Sequence, residues 1–390
     1  MLIDDLPTPG LLIERRRLEE NLARMQAKAD ANGVALRPHT KTHKSLWIAA
    51  RQQELGAKGL TVAKVGEAEV FAGAGFNDIR IAYTVVGADK HERILPLMDA
   101  ARISFCVDTQ EGALMASDFY EVRGRRADVL MEVDTGHGRC GVRWDRPEAV
   151  DFAGFVSSLP GLRLVGILTH AGQSYHGPLS EGESTEDALR RVSMEERDRM
   201  LELAVRLHAA GVPHADPEKG FEISIGSTPS MAYFENRTYG GFRITEIRPG
   251  NYVFHDAMQV GLGVADLPRC ALTVLATVVS KHRDRGRERV YLDAGKKILT
   301  ADRGYGTDGH GVLLYNPVTM TALPHARIIA LSEEHAWVEV PGGATLQVGD
   351  RVRIVPNHAC VTVDTQDRMY LVDGDEVVET LTVDARGRCV

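Results

Sequence analysis

The chain has 390 residues, enough for two domains, and its 44% hydrophobic and 26% charged residues are ordinary values for a soluble protein. The formal charge of −8 argues against a general nucleic-acid binder but leaves room for a local basic pocket. No apolar run approaches a membrane span, and the polar start Met1-Leu2-Ile3-Asp4-Asp5 does not read as a signal peptide. The cysteines Cys106, Cys140, Cys270, Cys360 and Cys389 are scattered and form no CxxC, as expected of reduced thiols in a cytoplasmic enzyme.

Thr8-Pro9-Gly10-Leu11-Leu12-Ile13 reads as an opening strand after a turn. Leu18, Leu22, Met25 and Ala29 then recur at helical spacing. The apolar run Gly33-Val34-Ala35-Leu36 reads as a strand and leads into Arg37-Pro38-His39-Thr40-Lys41-Thr42-His43-Lys44, after which Ser45-Leu46-Trp47 starts a helix. From there strands are expected at 59–63, 78–83, 103–107, 127–133, 162–168, 221–225 and 246–248, with helices at 66–72, 90–101, 110–119, 146–158 and 185–210. This alternation suits an α/β chain folded as a (β/α)8 TIM barrel. A doubly wound sheet alternates too, so the period alone does not choose.

Near Asp256 the texture changes. Runs at 270–279, 289–292, 326–330, 337–340, 351–355 and 368–372 are β-rich, and Gly-Asp, Pro-Gly-Gly and Asp-Gly turns separate them. The expected organisation is a barrel over 16–257 and a C-terminal antiparallel β-domain over 258–390, joined by residues 1–15.

A lysine where a buried strand meets a loop stands where such barrels keep their chemistry. Burial and the cationic neighbours Arg37, Lys44 and the two histidines, His39 and His43, would lower the pKa of Lys41 and free its amine for a carbonyl. Taken alone, the stretch is better explained as a basic strand end. Later segments reverse that. Asp134-Thr135-Gly136-His137-Gly138-Arg139 offers close backbone approach and a guanidinium for an anionic oxygen. Thr169-His170-Ala171-Gly172-Gln173-Ser174-Tyr175-His176 places His170 to stack on a flat ring or shuttle protons, with Tyr175 and His176 as acid–base candidates. Gly226-Ser227-Thr228 and Gly250-Asn251-Tyr252 follow the last two barrel strands, the usual phosphate site of the architecture. A reactive lysine, a phosphate cradle and a placed histidine together imply pyridoxal 5′-phosphate (PLP).

In the β-domain, His358 and Cys360 stand two apart. If they lie on a strand they share a face and can ligate one zinc-like divalent metal, with substrate and water completing the shell; taken alone, the pair is better explained as a buried cysteine beside a structural histidine. Glu333-Glu334-His335 is a polar cluster that could support them or be a solvated turn.

RPHTKTHK at 37–44, KVGEAE at 64–69, EVDTGHGRCGV at 132–142, THAGQSY at 169–175, IGSTPS at 225–230, RPGNYVFHD at 248–256, LDAG at 292–295 and PNHAC at 356–360 resemble the D-threonine aldolase/D-serine dehydratase family, whose fold is that of alanine racemase. The matches run in order through nearly the whole chain. The resemblance implies a homodimer with its active site at the subunit interface. It implies Lys41 as the Schiff-base lysine, Arg139 beside the cofactor's phenolic oxygen and His170 against the ring. It also implies Gly226, Ser227, Thr228, Gly250 and Asn251 at the phosphate, with Tyr252 close by, and His358 and Cys360 on a divalent metal (Mn, Mg, Zn or Co) that holds the substrate hydroxyl. RPHTKTHK, KVGEAE and GRCGV look like the aldolases; THAGQSY and the HxC pair look like the dehydratases. The expected activity is retro-aldol cleavage of a D-3-hydroxy amino acid such as D-threonine. The alternative is dehydration of D-serine or 3-hydroxy-D-aspartate. A silent PLP carrier fits less well, because such carriers usually lack a β-domain with a metal pair.

Overall fold

The computed structural model describes residues 1–284, 287–340 and 346–390. The chain divides into two compact units. One comprises Met25–Lys41, Ala49–Gly250 and Gly387–Val390; the other comprises Met1–Arg24, Thr42–Ile48 and Asn251–Arg386.

The first unit is built on parallel strands Ala35–Leu36, Leu60–Val62, Asp78–Thr84, Arg102–Val107, Ala127–Asp134, Leu162–Leu168, Glu222–Ile225 and Glu246–Ile247. Each pairs with its neighbour in chain order, and Glu246–Ile247 returns to Ala35–Leu36. A parallel bridge from His39 to Thr61 closes the ring, with the Thr61 amide donating to the Pro38 carbonyl at 2.9 Å. A doubly wound sheet would reverse its strand order at a switch point; this one never does, so the alternation belongs to a barrel. Ala127–Val133 is buried on both faces, which is why the strand reads as a continuous apolar run. Helices cover the outside. Gln110–Glu121 starts where the Thr109 hydroxyl accepts the Gly112 amide, and Thr185–Ala209 starts where Ser184 accepts the Asp187 amide.

Charged side chains fill the barrel toward the strand N-termini. Arg80, fully buried, pairs with Glu222 and Glu246; Arg37 pairs with Glu246 at 2.5 Å and with Asp78 at 2.7 Å. Buried charges persist only when paired in this way.

The second unit is a mostly antiparallel sheet around the long strand Leu272–Asp284. That strand pairs antiparallel with Gly10–Glu14 (Leu12 opposite Thr273), Arg351–Val355 and Arg287–Leu292. Gly10–Glu14 also runs parallel to Arg368–Asp373. Ile3, Leu6, Leu12, Leu275, Tyr370 and Val372 form a core here, each apolar side chain worth about 1.5–3 kcal/mol on full burial. The Pro341-Gly342-Gly343 turn expected from the sequence lies outside the described residues. Val312–Asn316 and Glu376–Thr382 are strands that the sequence did not announce. Most of Glu376–Thr382 is exposed, so it carries little apolar signal.

One expectation is corrected. His358 and Cys360 do not lie on a strand. The strand Arg351–Val355 stops before Pro356, which has no amide proton to donate, and Ala359–Asp364 is a helix with His358 at its N-cap. The Asp256 carboxylate accepts the Ala359 amide at 2.9 Å and fixes that helix start.

Candidate active site

The C-terminal ends of the barrel strands enclose a cavity of about 440 Å³. Every strand except Arg102–Val107 contributes to it, either by its last residues or by those just beyond. His39 and Lys41 follow the first strand, Lys64 the second, and Tyr83 and Thr84 end the third. Glu132 and Arg139, Leu168 and His170, Gly226, and Arg248 come from the remaining four.

The lining is cationic: Lys41, Lys64, Arg139 and Arg248 face a single carboxylate, Glu132. Lys64 sits over the Tyr83 ring at 3.7 Å. Arg139 lies 3.6 Å from the Glu132 carboxylate. Cys140 donates to Glu132 at 2.9 Å, and burial together with that carboxylate pushes its thiol up to about 11. Arg248 is buried and donates to the Ser224 hydroxyl and, at 2.5 Å, to the Thr169 carbonyl. Burial pulls its guanidinium down to about 10 against the attraction of Glu246. Burial and the charges of Lys41, Arg139 and Arg248 hold His170 well below the usual imidazole range, so its ring stays neutral. The His137 ring stands 6.0 Å from His170 and 5.9 Å from His176.

The residues expected to act together are only partly gathered. Lys41, Arg139, His170 and Gly226 line the cavity; Tyr175 and His176 do not. Tyr175 ends the short turn Gly172–Tyr175 and is half-buried, whereas His176 is exposed. Ser227 and Thr228 are buried at the start of the short helix Thr228–Met231, and the Ser227 hydroxyl meets that of Ser174 at 2.8 Å. Two amides of the expected cradle are engaged within the protein: Gly226 donates to Glu196 at 2.8 Å and Ser227 to the Ser230 hydroxyl at 3.1 Å. Gly226 has φ +118°, and a Cβ there would stand 3.1 Å from the Arg248 amide nitrogen, so this close approach demands glycine. Buried Gly250 follows Pro249, whose carbonyl accepts the His39 amide at 3.0 Å. Asn251 and Tyr252 are buried in a turn of the other unit. The cationic neighbours invoked around Lys41 carry carboxylate partners: Arg37 as above, and Lys44 with Asp364 at 2.5 Å.

In the second unit the Cys360 thiol lies 3.2 Å from the Thr42 hydroxyl and 3.9 Å from the Asn251 amide nitrogen. His358 Nδ1 meets the Asp302 carboxylate at 2.7 Å. Burial opposes a charge on His358, but Cys360, Asp256 and Asp302 outweigh it and raise the imidazole to about 10. Imidazole plus thiolate is a donor set for zinc-like ions, and no third His, Cys, Asp or Glu joins them among the described residues. Such a site leaves positions open for water and substrate. Glu333 and Glu334 instead form exposed ion pairs with Lys297.

PLP fits the barrel cavity. An amine for its aldehyde, an excess of positive charge for its phosphate and a neutral imidazole for its ring all line one space. Lys64, Glu132 and Arg248 were not singled out beforehand, although each stands at a barrel strand end, the same signal that marked Lys41. Asp256 and Asp302 carried no such signal.

Two family models match the chain: "Alanine racemase, N-terminal domain" over residues 13–257 and "Putative serine dehydratase domain" over residues 271–372. A D-threo-3-hydroxyaspartate dehydratase from Delftia sp. (strain HT23) is 34% identical over 368 residues, 92% of each chain. A D-threonine aldolase from Arthrobacter sp. is 35% identical over 387 residues, 97% of this chain and 93% of that one. Among solved structures, a cysteine-to-alanine variant of D-threo-3-hydroxyaspartate dehydratase in the metal-free form superposes with a TM-score of 0.86 at 32% identity, covering 98% of both chains.

Proposed function

The chain belongs to the D-threonine aldolase/D-serine dehydratase family of the alanine-racemase fold, and from that premise we propose that it is a PLP- and divalent-metal-dependent lyase of D-3-hydroxy amino acids, of the D-threonine aldolase type. Its products from D-threonine are then glycine and acetaldehyde. The observation that carries this reading is the cationic cavity around Lys41, open at the strand C-termini and lined by a neutral His170.

PLP, when bound, supplies the electron sink for breaking a bond at the substrate's α-carbon. Lys41 Nζ would be the attachment point for the cofactor's aldehyde. Arg139 and Arg248 offer donors to the cofactor's anionic oxygens, and His170 presents a ring rather than a charge. His358 and Cys360 would hold a divalent ion, and the chemistry it would supply there is Lewis-acid acidification of a hydroxyl. A base is needed for the hydroxyl proton; His176, exposed and away from the cavity lining with its ring 5.9 Å from that of His137, would have to turn inward to take it. The protein works as a cytoplasmic homodimer in this reading.

A second reading is dehydration, in which Lys41 would take the α-proton and the hydroxyl would leave as water, the metal pair supplying Lewis-acid chemistry at that oxygen. The HxC pair and the similarity to the Delftia dehydratase favour it. Incubation with D-threonine and with D-serine, with and without EDTA, separates the two. Glycine plus aldehyde supports the aldolase; oxo-acid and ammonia without glycine would sink it in favour of the dehydratase.

A further inference from the structure

We propose that Asp302 is a positioning residue for the metal pair, holding His358 so that its Nε2 is the atom presented to a divalent cation. The inference rests on the reading of His358 and Cys360 as metal ligands and extends it to a residue outside every motif noted in the sequence.

The Asp302 carboxylate lies 2.7 Å from His358 Nδ1. A carboxylate accepts only, so Nδ1 carries the proton in this contact, which leaves Nε2 as the ring nitrogen available to a cation. Metal-bound histidines are commonly oriented by this kind of contact, which fixes the tautomer, limits ring rotation and raises ligand basicity. The loop bearing Asp302 is also fastened beside the ligand. Asn357, next to His358 and 1% exposed, donates its side-chain amide to the Asp302 carbonyl at 2.9 Å and to the Gly309 carbonyl at 2.9 Å. The carboxylate is therefore registered to the imidazole through backbone as well as side chain. On the other side, Asp256 fixes the start of the helix that carries Cys360 by accepting the Ala359 amide. Asp256 thus holds the helix start that both donors share, whereas Asp302 meets the His358 ring itself.

The test is a Co²⁺ titration of the full-length protein after chelation, followed by the ligand-field and thiolate-to-cobalt absorption. Asp302→Ala is expected to weaken Co²⁺ binding about 10–100-fold while keeping the thiolate band, because Cys360 is intact. Asp302→Asn retains an acceptor oxygen without the charge and should fall between wild type and the alanine variant. Metal-free melting temperatures matching wild type would show that the loss is not one of folding. Unchanged Co²⁺ affinity in both variants would overturn the proposal. Wild type that binds no Co²⁺, or binds it as well after His358→Ala, would overturn the metal reading itself and the role of Asp302 with it.

Discussion

Arg80 and Glu246 form an ion pair at 2.5 Å inside the barrel, with the arginine 1% exposed. Glu246 also accepts Arg37 and the Ser224 hydroxyl, and Ser224 in turn accepts Arg248, which lines the cavity. One carboxylate therefore ties the charged floor of the barrel to the cavity at the strand C-termini. Replacing Glu246 by Gln strands buried guanidinium groups, which costs about 3–5 kcal/mol for a broken buried pair. Urea unfolding should register that loss. Cofactor affinity should fall with it, because Arg248 loses the chain of contacts that places it. A variant of wild-type stability would mean that the network is energetically idle.

Acid should expose the same carboxylate. Burial alone would raise Glu246, but Arg37, Arg80 and Arg248 hold it at about 2. A depressed carboxylate contributes its full stabilisation above its ordinary pKa of about 4.5 and loses it as pH falls from there toward 2. His91 titrates in an earlier window. Packed against Phe105, Phe119 and Tyr120, it is held down to about 4, chiefly by burial. The unfolded chain takes up its proton near pH 6.5 and the native state resists, so stability declines as pH drops from 6.5 toward 4. Unfolding measured from pH 7 to pH 5 should show this slope in wild type and a shallower one in His91→Gln. Equal slopes would assign the decline to other groups.

The sequence carried the barrel because each buried parallel strand leaves an apolar run and each helix an amphipathic one. The Leu162–Leu168 strand and the Thr185–Ala209 helix were placed to within a residue. The long-range contacts left no such trace. Asp302 meets His358 across 56 positions, and Arg248 meets Thr169 across 79. No local pattern encodes those pairs. At 356–360 the local rule misled, because HxC spacing fits a strand face while Pro356 and the Asp256 cap turn the segment into a helix start. The exposed position of His176 was likewise hidden, since clustering along the chain is not convergence on one cavity.

Lys41 is the single attachment point proposed for the cofactor. Lys41→Ala should be purified without the visible absorption of lysine-bound PLP and should not regain it on incubation with PLP. Gly226→Ala should lower PLP affinity for a different reason. Its φ of +118° disfavours any side chain, and the new Cβ would press on the Arg248 amide at 3.1 Å. Retention of the absorption by Lys41→Ala, at wild-type intensity, would remove Lys41 from its role.

Cys360 offers a test of metal choice. A thiolate favours zinc- and cobalt-like ions, whereas a carboxylate favours manganese and magnesium. Cys360→Asp keeps an anionic donor at the same helix position beside His358, where Thr42 and Asn251 supply hydrogen-bonding neighbours. The variant should lose the thiolate-to-cobalt absorption and shift its relative affinity from Zn²⁺ toward Mn²⁺. Activity should be recovered by Mn²⁺ after chelation more fully than by Zn²⁺, whichever products the wild type forms. Cys360→Ala removes the donor altogether and should bind either ion weakly. If Cys360→Asp kept the zinc preference and cobalt spectrum of wild type, Cys360 would not be a ligand, and the donor set would have to be sought around His358 alone.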